Sequence, residues 1–281
     1  MLRHHPLLSL LACLGALSVE AGAQPRGLKR AMTFHAGFDG GTDASFGAGD
    51  KHLYTAPSYK AQSEAQPGLG NSDVEIAKGA GRVGDCLRFK KKNERAIFYK
   101  ADKNVAFDAA NWTGTISFWL KLDPDKELEP GFCDPIQVTD KAYNDSAIWV
   151  DFTKDDKPRH FRLGVFGALT EWNPGNIPPD KNPKFDARLV AVSKPPFAAD
   201  KWTHVAIVYS GVGSGKGKAQ LYLNGQSMGM TPSIEEKLQW DVSKAAIRLG
   251  VSYVGLFDEL AIFNRELTAN EIRRLSTSPN R

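Results

Sequence analysis

The sequence predicts an all-β domain in which two antiparallel sheets form a sandwich, with a short C-terminal helix. The first observation is a series of short segments in which apolar and polar residues alternate. The second is that Gly, Pro, Asn and Asp separate these segments. Alternation with a period of two is the pattern of a strand with one buried face, and short strands divided by turn residues are typical of a sandwich.

The start of the chain has the pattern of an export signal. A short basic region precedes an apolar run from Leu7 to Val19, and small residues follow, ending at Ala23. This three-part pattern predicts a signal peptide over 1–23, and the run is shorter than the ~20 apolar residues that span a bilayer. A lipoprotein anchor at Cys13 is the alternative. We therefore expect an exported chain (periplasmic, cell-surface or secreted) with no membrane span and a single domain over 24–281.

The alternating segments run through most of the remaining sequence. They are 31–38, 84–90, 95–100, 114–122, 146–153, 159–167, 202–210, 219–225, 245–250 and 255–263. Residues 211–218 are rich in Gly and Ser and predict a hairpin loop, because glycine tolerates backbone angles that other residues resist. Asn224-Gly225 predicts the next tight turn, with positive φ at both residues.

Other stretches depart from the alternating pattern. In LTANEIRRL (267–275), Thr268 and Glu271 have the spacing of a capping box, which predicts a short helix. The stretches 39–72 and 168–200 show no regular pattern. Loops of this length in a compact domain are usually functional or disordered.

Composition and short motifs exclude several functions. The net charge is +4 and is spread along the chain, so we expect no nucleic-acid partner. Residues 214–218, SGKGK, look like a phosphate loop, but Gly217 stands where Ser or Thr is needed and a strand follows, so we expect no nucleotide. Cys86 and Cys133 leave a disulfide open, and they form no C-x-x-C metal motif.

The ordered series of strand sequences resembles a known family. KWTHVAIVYSG, AQLYLNGQ, AAIRLG and GLFDELAIFNRELTANEIRRL are similar to the C-terminal half of the LamG-like jelly-roll family, within the concanavalin A-like lectin/glucanase superfamily. FHAGFDG, GRVGDCLRF and GTISFWLKL resemble its first, early and middle strands. The resemblance spans most of 31–276 and implies a jelly roll of two curved sheets, with binding roles more often than catalysis. The inserts 39–72 and 168–200 depart from the family pattern, so its ligand surface is not carried over.

Alternation along the strands separates two sets of side chains. The apolar set predicts the core between the sheets: Ile116, Phe118, Leu120, Ile148, Val150, Phe152, Phe161, Leu163 and Val165. The opposite set mixes aromatic rings with charged groups, which together suit the apolar face and the hydroxyls of a sugar. The predicted ligand-binding residues are Trp119, Lys121, Trp149, Asp151, His160 and Arg162, with Trp172 from the 168–200 stretch. The alternative is that this stretch merely covers Trp119 and Trp149.

The sequence does not predict catalysis. The superfamily's glucanases carry E-x-D-x-E on one strand, and the nearest run here is DFTKD (151–155), with Thr in the middle and no Glu. No run resembles the signature segments of the superfamily's alginate lyases. His204, flanked by Val205 and Ile207, is predicted to be a hydrogen-bonded core residue rather than a base.

The resemblance also implies one structural Ca²⁺, and no organic cofactor is expected. In the superfamily, calcium is often held by an Asp of the last strand together with backbone oxygens of the first strand and an early glycine turn. Asp258 in FDE matches that Asp, Asp39 follows the first strand, and Gly84 lies in a matching turn. The alternative is that Asp258 pairs with Arg265 or caps a turn.

These observations together predict a secreted, non-catalytic LamG-like binding module. Its expected partner is a carbohydrate, a cell-surface glycoconjugate or an extracellular protein. Two alternatives remain open: a polysaccharide-active glycoside hydrolase or lyase of the same superfamily, and a scaffold module with no ligand groove.

Overall fold

The computed structural model of the chain describes Met1 and residues 26–70 and 72–278. Of the predicted signal peptide, only Met1 is among the described residues. The predicted cleavage site at Ala23 lies outside them. Within those residues, none of the helices has the length and apolar character needed to cross a membrane.

The described residues are mostly β-strand. In chain order the strands are β1 (Met32–Ala36), β2 (Phe46–Gly47), β3 (Tyr54–Ala56), β4 (Gln66–Pro67), β5 (Val74–Ala77), β6 (Cys86–Phe89), β7 (Ala96–Lys100), β8 (Trp112–Lys121), β9 (Cys133–Thr139), β10 (Ala147–Phe152), β11 (Phe161–Phe166), β12 (Val190–Val192), β13 (Thr203–Val212), β14 (Lys218–Leu223), β15 (Gln226–Met230), β16 (Ala246–Val251) and β17 (Gly255–Phe263). The helices are α1 (Arg26–Ala31), α2 (Pro124–Glu127), α3 (Leu169–Trp172), α4 (Pro183–Asp186) and α5 (Ala269–Thr277), and 3₁₀ turns lie at Gln62–Glu64 and Pro179–Lys181.

The strands form two antiparallel sheets, as the sequence predicts. Sheet A has nine strands in the order β15-β14-β13-β8-β17-β1-β2, with β6 also paired to β17 and β5 paired to β6. Sheet B has eight strands in the order β12-β11-β10-β9-β16-β7-β3-β4. Strands that are distant in sequence are neighbours in both sheets, which is the topology of a jelly roll.

One apolar core fills the space between the sheets. It contains every residue of the predicted inner set, from Ile116 on β8 to Val165 on β11. Cys86 and Cys133 are both buried as free thiols, in sheet A and sheet B respectively. The alternating sequence pattern therefore identified the buried faces of β8, β10 and β11 correctly.

Each predicted strand segment contains a strand, and the predicted turns form. Residues 213–217 connect the paired strands β13 and β14, and Asn224 and Gly225 connect β14 to β15 with φ of 49° and 78°. The C-terminal helix begins with the predicted capping box of Thr268 and Glu271. Strand β9 is missing from the prediction because Pro135 interrupts its alternation.

The described residues of the two long inserts build the edges of sheet B. The stretch 39–72 contributes β2 to sheet A and β3 and β4 to one edge of sheet B. The stretch 168–200 contributes α3, α4 and the opposite edge strand, β12. Both inserts are therefore positioned to shape the outer face of sheet B.

Candidate functional site

A row of residues, one from each of six neighbouring strands, crosses the outer face of sheet B. Gly164, Trp149, Gln137, Arg248, Phe98 and Tyr54 stand directly opposite one another on β11, β10, β9, β16, β7 and β3. Neighbouring strands are ~4.8 Å apart, so this row is about 24 Å long. We call it the cross-strand row.

The two inserts cover opposite ends of the cross-strand row. At one end, Trp172 and Phe185 of the 168–200 insert join an apolar cluster with Trp149 and Phe166. The Phe185 ring stacks on Phe166 with ring centroids 5.1 Å apart. At the other end, Tyr59 packs against a cluster that contains Phe98. The middle of the row, at Gln137 and Arg248, separates two cavities.

The first cavity, which we call the Trp149 cavity, has a volume of about 290 Å³. Its lining is Phe132, Asp134, Gln137, Tyr143, Trp149, Asp151, Arg162, Pro179, Phe185 and Val251. The rings of Phe132 and Tyr143 are 47% and 40% exposed, whereas Trp149 is 1% exposed. The accessible aromatic surface of this cavity therefore belongs to Phe132 and Tyr143.

Charged side chains are fixed in the Trp149 cavity. Arg162 donates from Nε to Asp151 Oδ1 at 2.9 Å and from Nη2 to Asp151 Oδ2 at 2.5 Å. The guanidinium also lies over the Phe132 ring, 4.9 Å from its centroid. Gln137 donates to Asp134 Oδ2 at 3.0 Å. Removal from water, and next the neighbouring Asp151 carboxylate, raise the pKa of Asp134 well above its ordinary value.

The structure brings together part of the predicted ligand-binding set. Trp149, Asp151 and Arg162 line one cavity, and Trp172 lies in the cluster that includes Trp149. The indole Nε1 of Trp149 donates to the Tyr143 carbonyl at 2.6 Å, and that of Trp172 donates to the Asn144 carbonyl at 2.9 Å.

The Trp149 and Trp172 rings are both buried beneath the 168–200 insert. Trp172 is 3% exposed and Trp149 is 1% exposed. Phe185 of the insert lies against both rings, with centroids 6.5 Å from Trp149 and 6.3 Å from Trp172. The covered arrangement that the sequence left as an alternative is the one observed for Trp149.

Trp119 and Lys121 do not share a face with Trp149, which corrects the predicted grouping. Both lie on β8 in sheet A, so they face the opposite side of the sandwich. Trp119 is 5% exposed, with Arg82 over its ring and the buried His204 ring 5.0 Å away. Alternation shows which residues of a strand point outward, but it does not show to which sheet the strand belongs.

His160 also stands apart from the Trp149 cavity. It immediately precedes β11 and lies 3.7 Å from the Asp156 carboxylate, with a side chain that is 34% exposed. His204, in contrast, is fully buried and hydrogen-bonded to Ser117, as the sequence predicted.

Strand β9 supplies the cavity residues that the sequence did not reveal. Asp134 and Gln137 lie on this strand, and the register to β10 shifts next to Pro135, opposite Asp151. Phe132 and Tyr143 are in the loops that flank β9. The proline was the available signal, because within a sheet it is confined to edges and bulges.

The predicted metal residues lie around one turn on the sheet A side. Asp258 accepts hydrogen bonds from the backbone N–H groups of Arg82 (2.7 Å) and Val83 (3.2 Å). Asp39 accepts from the Asp85 N–H at 2.8 Å. Gly84 in this turn has a φ of 54°, and a methyl group there would collide with Asp39.

Oxygen atoms converge beside Gly81 in the same turn. A methyl group on Gly81 would lie 2.4 Å from the Asp85 carbonyl oxygen, 2.5 Å from the Val83 carbonyl oxygen and 2.8 Å from Asp258 Oδ2. Burial, and next the nearby Glu259, raise the pKa of Asp258 to about 8. Carbonyl and carboxylate oxygens are the ligands of calcium, and a cation would offset this buried carboxylate. These residues therefore fit the implied ion.

Backbone oxygens would have to supply much of such a cation site. No group of three or more His, Cys, Asp or Glu side chains arranged to hold a metal occurs among the described residues. Arg265 bonds Glu271 with N–O distances of 2.9 and 2.6 Å, so the Asp258–Arg265 pair does not form. Asp258 instead caps the turn at Arg82 and Val83, which is the other alternative that the sequence left open. Calcium itself stays a prediction.

Comparison with protein families agrees with this architecture. The laminin G family model Laminin_G_3, described as the concanavalin A-like lectin/glucanases superfamily, matches residues 99–273 of the 281. The chain belongs to this superfamily. The match begins within β7 and ends within α5, so it includes the strands that line the Trp149 cavity of this laminin G-like domain. A search of curated proteins found no significant match.

Solved structures share the fold of this laminin G-like domain. Domain 4 of AbnA, a GH43 extracellular arabinanase from Geobacillus stearothermophilus in complex with arabinotriose, has a TM-score of 0.53 and 17% identity, covering 88% of this chain and 98% of that domain. The binding domain of botulinum neurotoxin DC, in complex with rat synaptotagmin II, has a TM-score of 0.55 and 11% identity, covering 89% and 52%.

A further toxin structure extends the comparison. It concerns botulinum neurotoxin type C, whose cell entry depends on interaction with two ganglioside molecules, and it has a TM-score of 0.54 and 11% identity, covering 91% of this chain and 53% of that one. This chain spans about half the length of the toxin domains. At these identities the similarity shows the fold alone.

Proposed function

We propose that this laminin G-like domain is a non-catalytic carbohydrate-binding module whose ligand occupies the Trp149 cavity. The observation that carries the proposal is the pairing of exposed rings with fixed charges. Phe132 and Tyr143 offer apolar surface to the C–H face of a sugar, and the Arg162–Asp151 pair stands beside them to bond hydroxyl groups. Because the pair is already formed, little side-chain entropy is lost when a ligand binds.

The comparisons support a binding role. The arabinanase domain is described in complex with arabinotriose, and the toxin with gangliosides. Another toxin binding domain is described in complex with synaptotagmin II, a protein. A glycan or a glycosylated surface is the partner class that best suits the rings and charges of this cavity, with an extracellular protein as the next candidate.

The arrangement of Asp151 supports the absence of catalysis. Both of its carboxylate oxygens accept hydrogen bonds from Arg162, and this charge pairing lowers the nucleophilicity of the carboxylate. A glycosidase needs one carboxylate as a proton donor and a second as nucleophile or base. The bidentate pair therefore makes Asp151 a weak nucleophile or base for the second role.

One observation favours glycoside hydrolysis as a second candidate. Asp134 lines the same cavity as Asp151, and its raised pKa is a property of a general acid. If the domain is a hydrolase, Asp134→Asn abolishes turnover of a bound polysaccharide. The first proposal instead requires binding without turnover by the unaltered protein.

A glycan array followed by calorimetry tests the proposal, with arabino-oligosaccharides in the first panel. We expect Phe132→Ala and Tyr143→Ala to weaken binding about tenfold or more, the scale of ~1–3 kcal/mol for a stacked ring. Phe46→Ala is the matched control, because Phe46 is also 47% exposed and lies in sheet A. Binding of no glycan, or equal losses in all three variants, would refute the site.

We propose further that the domain is exported after cleavage near Ala23. The apolar run that ends at Val19 and the small residues after it support this. N-terminal sequencing of protein recovered outside the cytoplasm should give a start near Gln24. A mature chain that begins before Leu14 would contradict the proposal.

A further inference from the structure

A second and larger cavity lies on the other side of the Gln137–Arg248 contact. Its volume is about 930 Å³, and we call it the basic cavity. Its charged lining consists of Lys60, Lys100, Lys141, Lys244, Arg248 and the carboxylate Asp140. The Tyr54 and Tyr59 rings supply apolar surface beside these charges. The composition of this lining differs from that of the Trp149 cavity, where carboxylates outnumber the single arginine.

Most of the lysines have carboxylate partners outside the lining. Lys100 lies 3.2 Å from Asp50 and Lys244 lies 2.8 Å from Asp241. Lys141 makes a longer contact of 3.9 Å with Asp145. These pairs reduce the positive field that reaches a ligand, so lysine count alone does not make an anion site.

Arg248 has an unsatisfied hydrogen-bond donor that a ligand in the basic cavity would bond. It is 5% exposed, and its Nη1 donates to Gln137 Oε1 at 2.7 Å. Its guanidinium lies over the Tyr59 ring, 4.8 Å from the centroid. Its Nε is buried and has no hydrogen-bond partner among the described residues. A buried, unpaired N–H group on a cation is costly, because water and protein both fail to satisfy it.

The neighbouring arginine on this face shows what such a group binds. In Arg162, the edge formed by Nε and Nη2 holds both oxygens of the Asp151 carboxylate. In Arg248 the opposite nitrogen, Nη1, bonds Gln137, so this contact does not use the edge that carries Nε, and the residue itself lines the basic cavity. A planar carboxylate matches this edge in the same bidentate way.

Asp140 adds a requirement for hydroxyl groups. Its Oδ2 accepts from the Asp241 N–H at 2.8 Å, and its Oδ1 is buried with no partner among the residues that the structure describes. A carboxylate oxygen accepts hydrogen bonds but donates none, so it needs a donor, and on a sugar that donor is a hydroxyl. A ligand that satisfies both residues carries a carboxylate for Arg248 and a hydroxyl group for Asp140.

We infer that the basic cavity is a subsite for a uronic-acid residue of the glycan that occupies the Trp149 cavity. This inference rests on the proposed function. The cross-strand row joins the two cavities through Gln137 and Arg248, so a single oligosaccharide lying along the row reaches both. The carboxylate bonds Arg248 and a ring hydroxyl bonds Asp140. The domain therefore selects acidic over neutral glycans.

The test compares oligogalacturonides with their methyl esters, which have the same sugars without the charge. We expect the acid to bind about tenfold more tightly than the ester, as one charge-assisted bidentate contact allows. Arg248→Met should bring the two affinities within about twofold, and Arg248→Lys should recover only part of the difference because lysine cannot bind in the bidentate way. A sulfated oligosaccharide is the third arm, and it should bind more weakly than the carboxylate.

Exposed variants keep the test decisive if Arg248→Met fails to fold. Lys60 is exposed and lines the cavity, so Lys60→Met should weaken acid binding about twofold and leave ester binding unchanged. Lys184→Met, an exposed lysine on α4 outside this lining, is the matched control.

Three outcomes separate the subsite from the proposed function. Equal affinity for acid and ester, with neutral glycans still bound, overturns the uronate subsite and leaves the binding module intact. Preference for sulfate over carboxylate also overturns it. If neither these ligands nor any neutral glycan binds, the proposed function fails as well.

Discussion

The His204 ring and the Ser117 hydroxyl are joined by a buried hydrogen bond of 2.8 Å between strands β13 and β8. His204 has no exposed surface, and its Nδ1 has no partner among the described residues. Burial lowers the pKa of His204 from 6.5 to about 3. The folded protein therefore holds this ring in its neutral form throughout the mildly acidic range.

This burial predicts a loss of stability in acid. The pKa is depressed in the folded state, so the contribution of His204 is fully present above pH 6.5 and is lost as the pH falls from 6.5 toward 3. Each pH unit in that range costs up to ~1.4 kcal/mol. Chemical denaturation between pH 7 and 4 should show a steeper decline for the unaltered protein than for His204→Gln. His160→Gln, on a side chain that is 34% exposed, is the control and should keep the original slope.

Trp149→Ala should lower the free energy of unfolding by ~3–5 kcal/mol, because it removes a buried ring from an aromatic cluster. Phe132→Ala, at a ring that is 47% exposed, should cost less than ~1 kcal/mol. Urea titrations of both variants measure the difference. Similar small losses in the two proteins would show that the insert does not pack on Trp149 in solution.

Gly164→Ala should disturb the Trp149 cavity. Gly164 stands opposite Trp149 in the cross-strand row, and a methyl group there would lie 2.3 Å from the indole Cζ2. Forcing this contact costs ~1–3 kcal/mol and shifts the indole. Gly41→Ala is the matched control, since a methyl group at Gly41 meets no heavy atom within 4 Å in the described part of the chain. Equal unfolding midpoints for the two variants would contradict the predicted overlap.

Calcium should stabilise the folded domain if it binds at the turn beside Asp258. A ligand that binds only the native state adds ~2.7 kcal/mol at a hundredfold excess over its dissociation constant. Thermal unfolding in excess calcium and in excess chelator should therefore differ for the unaltered protein and coincide for Asp258→Asn. Asp155→Asn, at a side chain that is 76% exposed, should retain the difference. Identical midpoints for the unaltered protein in both solutions would refute the calcium site.

The buried sides of β8, β10 and β11 were predictable because period-two alternation reports burial directly. Every residue assigned to the inner set lies in the core. The Asn224-Gly225 turn was predictable for a similar local reason, since positive φ at both positions strongly favours these residues. Both features depend only on residues that are close together in sequence, so a single sequence is enough to predict them.

The candidate site was only partly predictable because it depends on strand pairing. Trp119 and Trp149 both point away from the core, yet β8 belongs to sheet A and β10 to sheet B. Pro135 concealed β9, the strand that aligns Gln137 with Trp149 on one side and Arg248 on the other. The 168–200 insert, which buries Trp149, also carries no periodic signal. These relationships join residues that are distant in sequence, and a single sequence gives no measure of such contacts.

The position of β17 between β8 and β1 has a consequence for the order of folding. Strand β1 pairs with residues as late as Phe263, so its main partner is synthesised after every other strand of sheet A. Contacts between such distant segments form slowly, because a long loop must close before they are made. Until β17 has emerged from the ribosome, the edges of both β1 and β8 that it will cover are open to other strands. Completion of sheet A is therefore expected to be the late step of folding, and the interval before it is when the chain most needs protection from aggregation.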